Sequence, residues 1–496
     1  MRLLLTCLAL IFILFRQLPP QGRDEPLVLT NVNVIDAKGP ERPLKPNRTV
    51  VIDGGRIAEI GESEKIRPPQ GARVVDAKDK FLIPGLWDMH VHWYHEAFLP
   101  LFIANGVTGV RQMTGFVLHQ DWRKKAERGE LLSPRLSVAS MLVDGPGATM
   151  KGSFEIADES QARDVVRKIK GEGFDFVKIY PGIPRDAFYA LADECTKQKI
   201  SFIGHVPHAV SALEASDAGM KSIEHMTGVL EACSPAGREI TRGYLKNMAG
   251  VSNQTGMDAD RRKAQRLLFE KMLDTYDREL AAAMFARFAK NGTWHCPTLV
   301  VNRVLGLIGE ADFRDDSRVK YMPEYFRNAW QPQKNPLWAF RTDEDYAVSK
   351  RRFAKETEAV AEMREAGVRF IAGTDTGNPY CFPGFSLHDE LGLLVKAGFT
   401  PLEAIQTATL NAAVFLGRAD SLGTIEKGKI ADLVLLEADP LKDIGNTRRI
   451  AAVIQGGKIY EKRRLEAMLV EAEKLANAKT DEKVAHSRSK STPSSS

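Results

Sequence analysis

"GLWDMHVHWYHEAF", residues 85–98, carries three histidines in fourteen residues, and a single valine separates His90 from His92. The run up to His92 is mostly apolar and short, so it reads as a buried strand. Period-two alternation then puts both imidazoles on one face of that strand. One histidine in such a place is ordinary structure. A pair at a strand end, aimed the same way, directs attention to further ligands elsewhere in the chain.

Working outward, the same short apolar texture recurs in "GVTGVRQM" (106–113), "RLSVAS" (135–140), "FDFVKIY" (174–180), "SFIGHV" (201–206), "SIEHM" (222–226), "WHCPTLV" (294–300) and "FIAGTD" (370–375). With "WDMHVHW" (87–93) these make eight strands separated by helical stretches, the pattern of an α/β protein built as a (β/α)8 barrel. Functional groups of such a barrel gather at the carboxyl ends of its strands. Reading those ends gives His90, His92, Lys178, His205, His225 and Asp375. Imidazole nitrogen and carboxylate oxygen suit zinc or a similar divalent ion. Thr400, Pro401 and Glu403 mark a capped helix start. The long connections 227–293 and 301–369 predict lids or extra helices at the functional face.

Both ends of the chain have a different texture. "LVLTNVNVIDA", "TVVIDGGRIAEIG" and "ARVVDAKDKFLIPG" read as hairpin strands, and "GKIADLVLLEADP" and "IAAVIQGGKIY" repeat the pattern near the far end. The expected organisation is a signal peptide or N-terminal anchor over 1–22, one small β domain from 26–84 and 421–462, the barrel over 85–420, a C-terminal helix over 463–478 and a disordered tail over 479–496.

A net charge of +5 is small for 496 residues, so no nucleic-acid surface is expected. "MRLLLTCLALIFILF" has one early cation and an apolar run too short for a spanning helix, which predicts export to the periplasm or medium. The following "RQLPPQG" lacks a small-x-small cleavage site, so an uncleaved anchor stays open, with membrane contact only through that segment. The five cysteines are widely spaced and read as buried apolar residues, not a disulfide framework.

From about residue 27 to 462 the chain resembles the amidohydrolase superfamily, nearest its Xaa-Pro dipeptidase and imidazolonepropionase-like branch. The carriers are "PGLWDMHVH" (84–92), "FVKIY" (176–180), "GHVP" (204–207), "IEHM" (223–226), "AGTDTG" (372–377), "TPLEAIQTATLNAA" and "GKIADLVLL". The resemblance implies a β-sandwich built from both termini beside the barrel. It implies one metal on His90, His92 and Asp375 and a second on His205 and His225, most simply two zinc ions. Lysine is protonated at neutral pH, with an ordinary pKa near 10.4, and an ammonium has no lone pair for a metal. In binuclear members the matching lysine is carboxylated, and the resemblance implies that state for Lys178; pairing with Asp375 or a place on the barrel floor is the structural alternative.

The implied chemistry is hydrolysis of a linear amide, a dipeptide or N-acyl amino acid, by a metal-bridging hydroxide. Asp375 would act as general base and then general acid, with one metal, assisted by His205 or Tyr180, polarising the carbonyl. Cyclic-amide hydrolysis or deamination is the alternative, and a catalytically inactive binding barrel a remote one. His388 and Arg303 are candidates for the substrate pocket with Tyr180. His95, His208 and His295 are pocket or structural residues, and His119 and His486 read as surface. Gln112 and Ala412 depart from an aspartate and a proline frequent in relatives, which leaves subfamily and substrate open and does not touch the proposed ligands; oligomeric state, a homo-oligomer included, is open as well.

Overall fold

β-Branched alternation at the chain's start forms β1 (Leu27–Ile35), β2 (Leu44–Asp53), β3 (Arg56–Glu62), β4 (Arg73–Asp76) and β5 (Phe81–Pro84). The computed structural model describes residues 25–39, 43–148, 150–248, 257–308, 313, 315–331, 334–335 and 338–478. The N-terminal segment 1–22 and the tail 479–496 lie outside the described residues.

The barrel strands follow: β6 (Leu86–Val91), β7 (Val107–Gln112), β8 (Arg135–Asp144), β10 (Phe176–Ile179), β11 (Ser201–Gly204), β12 (Ser222–Glu224), β13 (Trp294–Cys296) and β14 (Arg369–Phe370), with the short β9 (Phe154–Glu155) beside the end of β8. Each pairs in parallel with the next. Beyond β14 the chain closes the sheet on itself. Met89 N–H donates to the Ala372 carbonyl at 2.8 Å, Asp375 N–H to His90 at 2.8 Å and His92 N–H to Thr376 at 2.7 Å. The seam therefore joins the histidine pair directly to the "AGTDTG" segment.

The barrel is filled, not open. Trp87, Met89, Phe176, Ile203, Trp294, Cys296 and Ile371 pack together inside it, and Phe415 from the helix Leu410–Phe415 joins them. Each buried large apolar side chain contributes about 1.5–3 kcal/mol. Polar side chains in this interior need a partner or a task, which makes the ones below informative.

The late strands β15 (Leu433–Leu436), β16 (Ile450–Gln455) and β17 (Lys458–Glu461) return to the N-terminal strands, giving the order β17-β16-β15-β5-β1-β2-β3 with β4 also on β1. β1 forks: Leu27–Thr30 pairs with β4, while Asn33 and Val34 pair with β5. The fork lets the sheet enclose a core of its own, including Leu29, Val34, Ile52, Leu433 and Ile454. The turn between β2 and β3 needs Gly54 and Gly55, both at positive φ, and a Cβ on Gly55 would lie 2.9 Å from the Gly456 carbonyl.

The two long connections are largely helical. The first holds Gly237–Met248, Ala259–Asp274 and Arg278–Asn291; the second holds Leu299–Leu307, Glu324–Ala329 and Asp343–Glu365. From the second, Phe326 stacks on Trp93 with ring centroids 6.1 Å apart, and Tyr325 reaches His95. This segment thus covers the turn that leaves His92. The helix Pro401–Thr407 starts with the capping box expected of Thr400 and Glu403. Among the described residues no helix is long and apolar enough to cross a membrane.

Candidate metal centre

The barrel brings the four strand-end histidines and Asp375 into one cluster. His90 Nε2 lies 3.2 Å from His92 Nε2. Asp375 Oδ1 is 3.1 Å from His92 Nε2 and 3.5 Å from His90 Nε2, and its Oδ2 is 3.9 Å from His225 Nδ1. His225 packs on His90 with centroids 4.4 Å apart and on His205 at 4.9 Å. His205 in turn stacks on Tyr180 at 4.4 Å.

Local backbone conformation aims these groups. Asp375 and His225 both have φ of 57°, and Thr298, which shares a 2.7 Å hydrogen bond with His225 Nδ1, has φ of 48°. The left-handed region costs a non-glycine residue roughly 1–3 kcal/mol, a strain that packing must hold in place and that concentrates at functional sites. Gly373 is needed for closeness: a Cβ there would sit 2.5 Å from Cys296 Sγ and 2.7 Å from His90 Cβ.

Burial sets the protonation states. It drives His90 and His205 well below the usual imidazole range, helped by Lys178 and the neighbouring imidazoles. It lowers His225 to about 4 although Asp375 opposes the shift. The three rings are therefore neutral at pH 7 and keep a lone pair for a metal. For Asp375 burial acts upward, but His225, His92 and Lys178 outweigh it and hold the carboxyl below its ordinary range, so it stays ionised. Lys178, 1% exposed, is pushed down to about 8 by burial, against the pull of Glu224 and Asp375.

Lys178 Nζ is buried without a hydrogen-bond partner, and Asp375 Oδ1, also buried, has only its contacts with His92 and His90. Buried polar atoms are rarely left so, and here they sit beside neutral imidazoles. His90, His225 and Asp375 each offer a ligand atom, all within 4.8 Å of one another. The donor set fits a divalent cation: nitrogen and oxygen ligands, one ionised carboxylate, and an amine that needs a change of state to join them.

Other predicted residues fall at varying distances from this centre in role. Tyr180 is beside it, its hydroxyl raised to about 12 by burial, with Asp375 among the charges it feels. Arg303 lies on the helix Leu299–Leu307, with its Nε buried and unpartnered and its guanidinium 5.7 Å from the Phe313 ring. His388 stands apart: its Nδ1 meets Thr447 Oγ1 at 2.9 Å and its Nε2 the Asn105 carbonyl at 3.0 Å, none of them part of the cluster. His208 packs on Tyr244, and His295 is buried against Phe288 and Phe370.

His119, expected at the surface, is fully buried: its Nδ1 accepts from Phe116 N–H at 3.0 Å, and its Nε2 lies 2.9 Å from the Trp93 carbonyl. The helix carrying it turns that face inward, which a helical period in a polar stretch did not reveal. Cys195, Cys233, Cys296 and Cys381 are free and buried, as their spacing suggested.

Several residues escaped the reading of strand ends. Glu224 and Arg111 are fully buried beneath His90, joined by two 2.9 Å hydrogen bonds. Asp88 accepts from Thr374 N–H at 3.0 Å and from its hydroxyl at 2.6 Å, fixing the loop that presents Asp375. Thr114 shares a 2.8 Å hydrogen bond with His92 Nδ1. One signal was available: a charged residue inside a strand read as buried, as in "SIEH" and "GVRQ", needs a partner.

A (β/α)8 barrel with imidazole, carboxylate and lysine groups gathered at its carboxyl face defines a class of barrel proteins with a centre suited to divalent metal. Within that class the chain belongs to the amidohydrolase family, which residues 81–460 match. Ochratoxinase of Aspergillus niger is 38% identical over 102 residues, 20% of either chain, so this chain spans about one-fifth of that relative's length. Imidazolonepropionase of Clostridium tetani is 24% identical over 468 residues, covering 88% of this chain and 93% of the relative. Among solved structures, bottromycin amidohydrolase aligns over 92% of both chains at 26% identity with a TM-score of 0.72. A Xaa-Pro dipeptidase with bound methionine shares the fold, with a TM-score of 0.61 at 20% identity over 88% of this chain and 100% of that one.

Proposed function

We propose that this protein is a metal-dependent hydrolase of linear amide bonds, acting on a dipeptide or an N-acyl amino acid. The observation that carries the reading is the convergence of His90, His92, His205, His225 and Asp375 around the unpartnered Lys178 amine. His90, His92 and Asp375 would hold one zinc ion, and His205 and His225 a second, with a carboxylated Lys178 between them. Divalent ions bound there supply Lewis acidity, lowering the pKa of water from about 15.7 toward 7 and polarising a carbonyl oxygen.

The chain's own groups do the rest. Asp375, ionised and within reach of His92 and His90, accepts the proton of the attacking water and returns it to the leaving nitrogen. Tyr180, stacked on His205, keeps its hydroxyl proton and donates a hydrogen bond to the substrate carbonyl oxygen. Arg303, with an N–H left unpartnered, grips the substrate carboxylate. The covering segment around Tyr325 and Phe326 excludes water from the mouth. Export through the N-terminal apolar run is part of the same proposal, and cell fractionation with and without residues 1–22 tests it.

The full-length similarity to an imidazolonepropionase favours one second reading, hydrolysis of a cyclic amide. One experiment separates the two: metal content of protein purified without chelators, followed by hydrolysis of dipeptides, N-acyl amino acids and ring amides on the same sample. Two equivalents with release of free amino acid are expected. One equivalent with turnover of ring amides alone would replace the first reading by the second.

A further inference from the structure

Glu224 is buried on β12 and has every lone-pair direction engaged. Arg111 Nη2 donates to Oε1 and Oε2, each at 2.9 Å, and the Ser222 hydroxyl donates to Oε1 at 2.5 Å. His90 Nδ1 lies 2.8 Å from Oε2. Arg111 is anchored in turn, donating from Nε to the Met89 carbonyl at 2.5 Å and from Nη1 to Ser222 Oγ at 3.2 Å. Its guanidinium also lies 4.9 Å from the Phe415 ring centroid.

A carboxylate surrounded by donors can only accept from His90, so Nδ1 must carry the proton and Nε2 the lone pair. That Nε2 is the atom facing His92 and Asp375. The other histidines are held more weakly: His92 and His225 meet the neutral hydroxyls of Thr114 and Thr298 through Nδ1. A fully buried ion pair is also a poor means of stabilising a barrel, since apolar residues of similar size often do as well or better. Its presence beneath one ligand calls for a role in ligation.

We infer that Glu224 and Arg111 form a positioning pair that fixes the His90 tautomer and strengthens it as a donor, so that the cation held by His90, His92 and Asp375 binds more tightly than the one held by His205 and His225. This rests on the metal-dependent reading above. Partners of this kind typically alter metal affinity 10–100-fold.

The test uses the full chain, stripped of metal and titrated with zinc against a chromophoric chelator. Wild-type protein should show one tight and one weaker equivalent. Glu224→Gln should weaken the tight equivalent 10–100-fold and leave the other unchanged. The double variant Glu224→Met/Arg111→Met, which removes the ion pair without leaving a lone buried charge, should fold and show the same loss; it covers the case in which Glu224→Gln fails to fold. Unchanged zinc affinities in variants with an altered unfolding midpoint would make the pair structural and overturn the inference alone. Wild-type protein that takes up no zinc would overturn the metal-dependent reading, and the inference with it.

Discussion

Replacing Lys178 by methionine should make the metal-free protein more stable while removing its capacity to hold a full metal complement. The Lys178 amine is buried, without a hydrogen-bond partner, and shifted from 10.5 to about 8. A shift of about 2.5 units at 1.36 kcal/mol per unit places the penalty for burying the ammonium at about 3 kcal/mol. Methionine has a similar length and no charge, so the penalty disappears. The pH dependence has a definite sign. Because the folded pKa lies below the unfolded one, the unfolded chain binds more protons between pH 8 and 10.5, and wild-type stability rises with pH across that window. The advantage of Lys178→Met should therefore be about 3 kcal/mol at pH 7 and shrink to about 1 kcal/mol near pH 9.5. Urea unfolding of both metal-free proteins at the two pH values reads it directly. A variant no more stable than wild type at pH 7 would show that Glu224 and Asp375 already compensate the ammonium, and that Lys178 is an ordinary buried ion-pair partner.

Two further substitutions separate chemistry from scaffolding. Asp375→Asn should lower kcat by about 10²–10⁴-fold with zinc uptake at the His205 and His225 positions retained; undiminished turnover would remove Asp375 from proton transfer. His388→Leu breaks hydrogen bonds to the Asn105 carbonyl and Thr447 and leaves both groups buried, so stability should fall by about 2–4 kcal/mol with KM unchanged. A raised KM at wild-type stability would instead place His388 in the substrate pocket.

The hydrophobic period and the strand-end histidines are local properties, and the sequence carries them openly. Eight apolar runs in a helical background imply the parallel barrel, and β6, β7, β8 and β10 to β14 each overlap one of those runs, while the two-residue β9 matches none of them and β14 ends where its run begins. His90 and His92 share a face because a strand repeats every two residues. Gathering them with His205, His225 and Asp375 follows once the strands are known to close, and closure is legible only as an expectation of the fold.

What the tertiary structure alone decided is everything that depends on contact between distant segments. His119 and His388 are alike in sequence as polar residues on helices, yet packing buried both and assigned their nitrogens to backbone and hydroxyl partners. Glu224 and Arg111 stand far apart in the chain, on strands not adjacent in the sheet, and meet only across the filled interior. Periodicity reports which face a residue takes, not which side chain lies opposite it. The partner is chosen by the closure of the barrel, and with it the charge, tautomer and protonation state on which the chemistry of this centre depends.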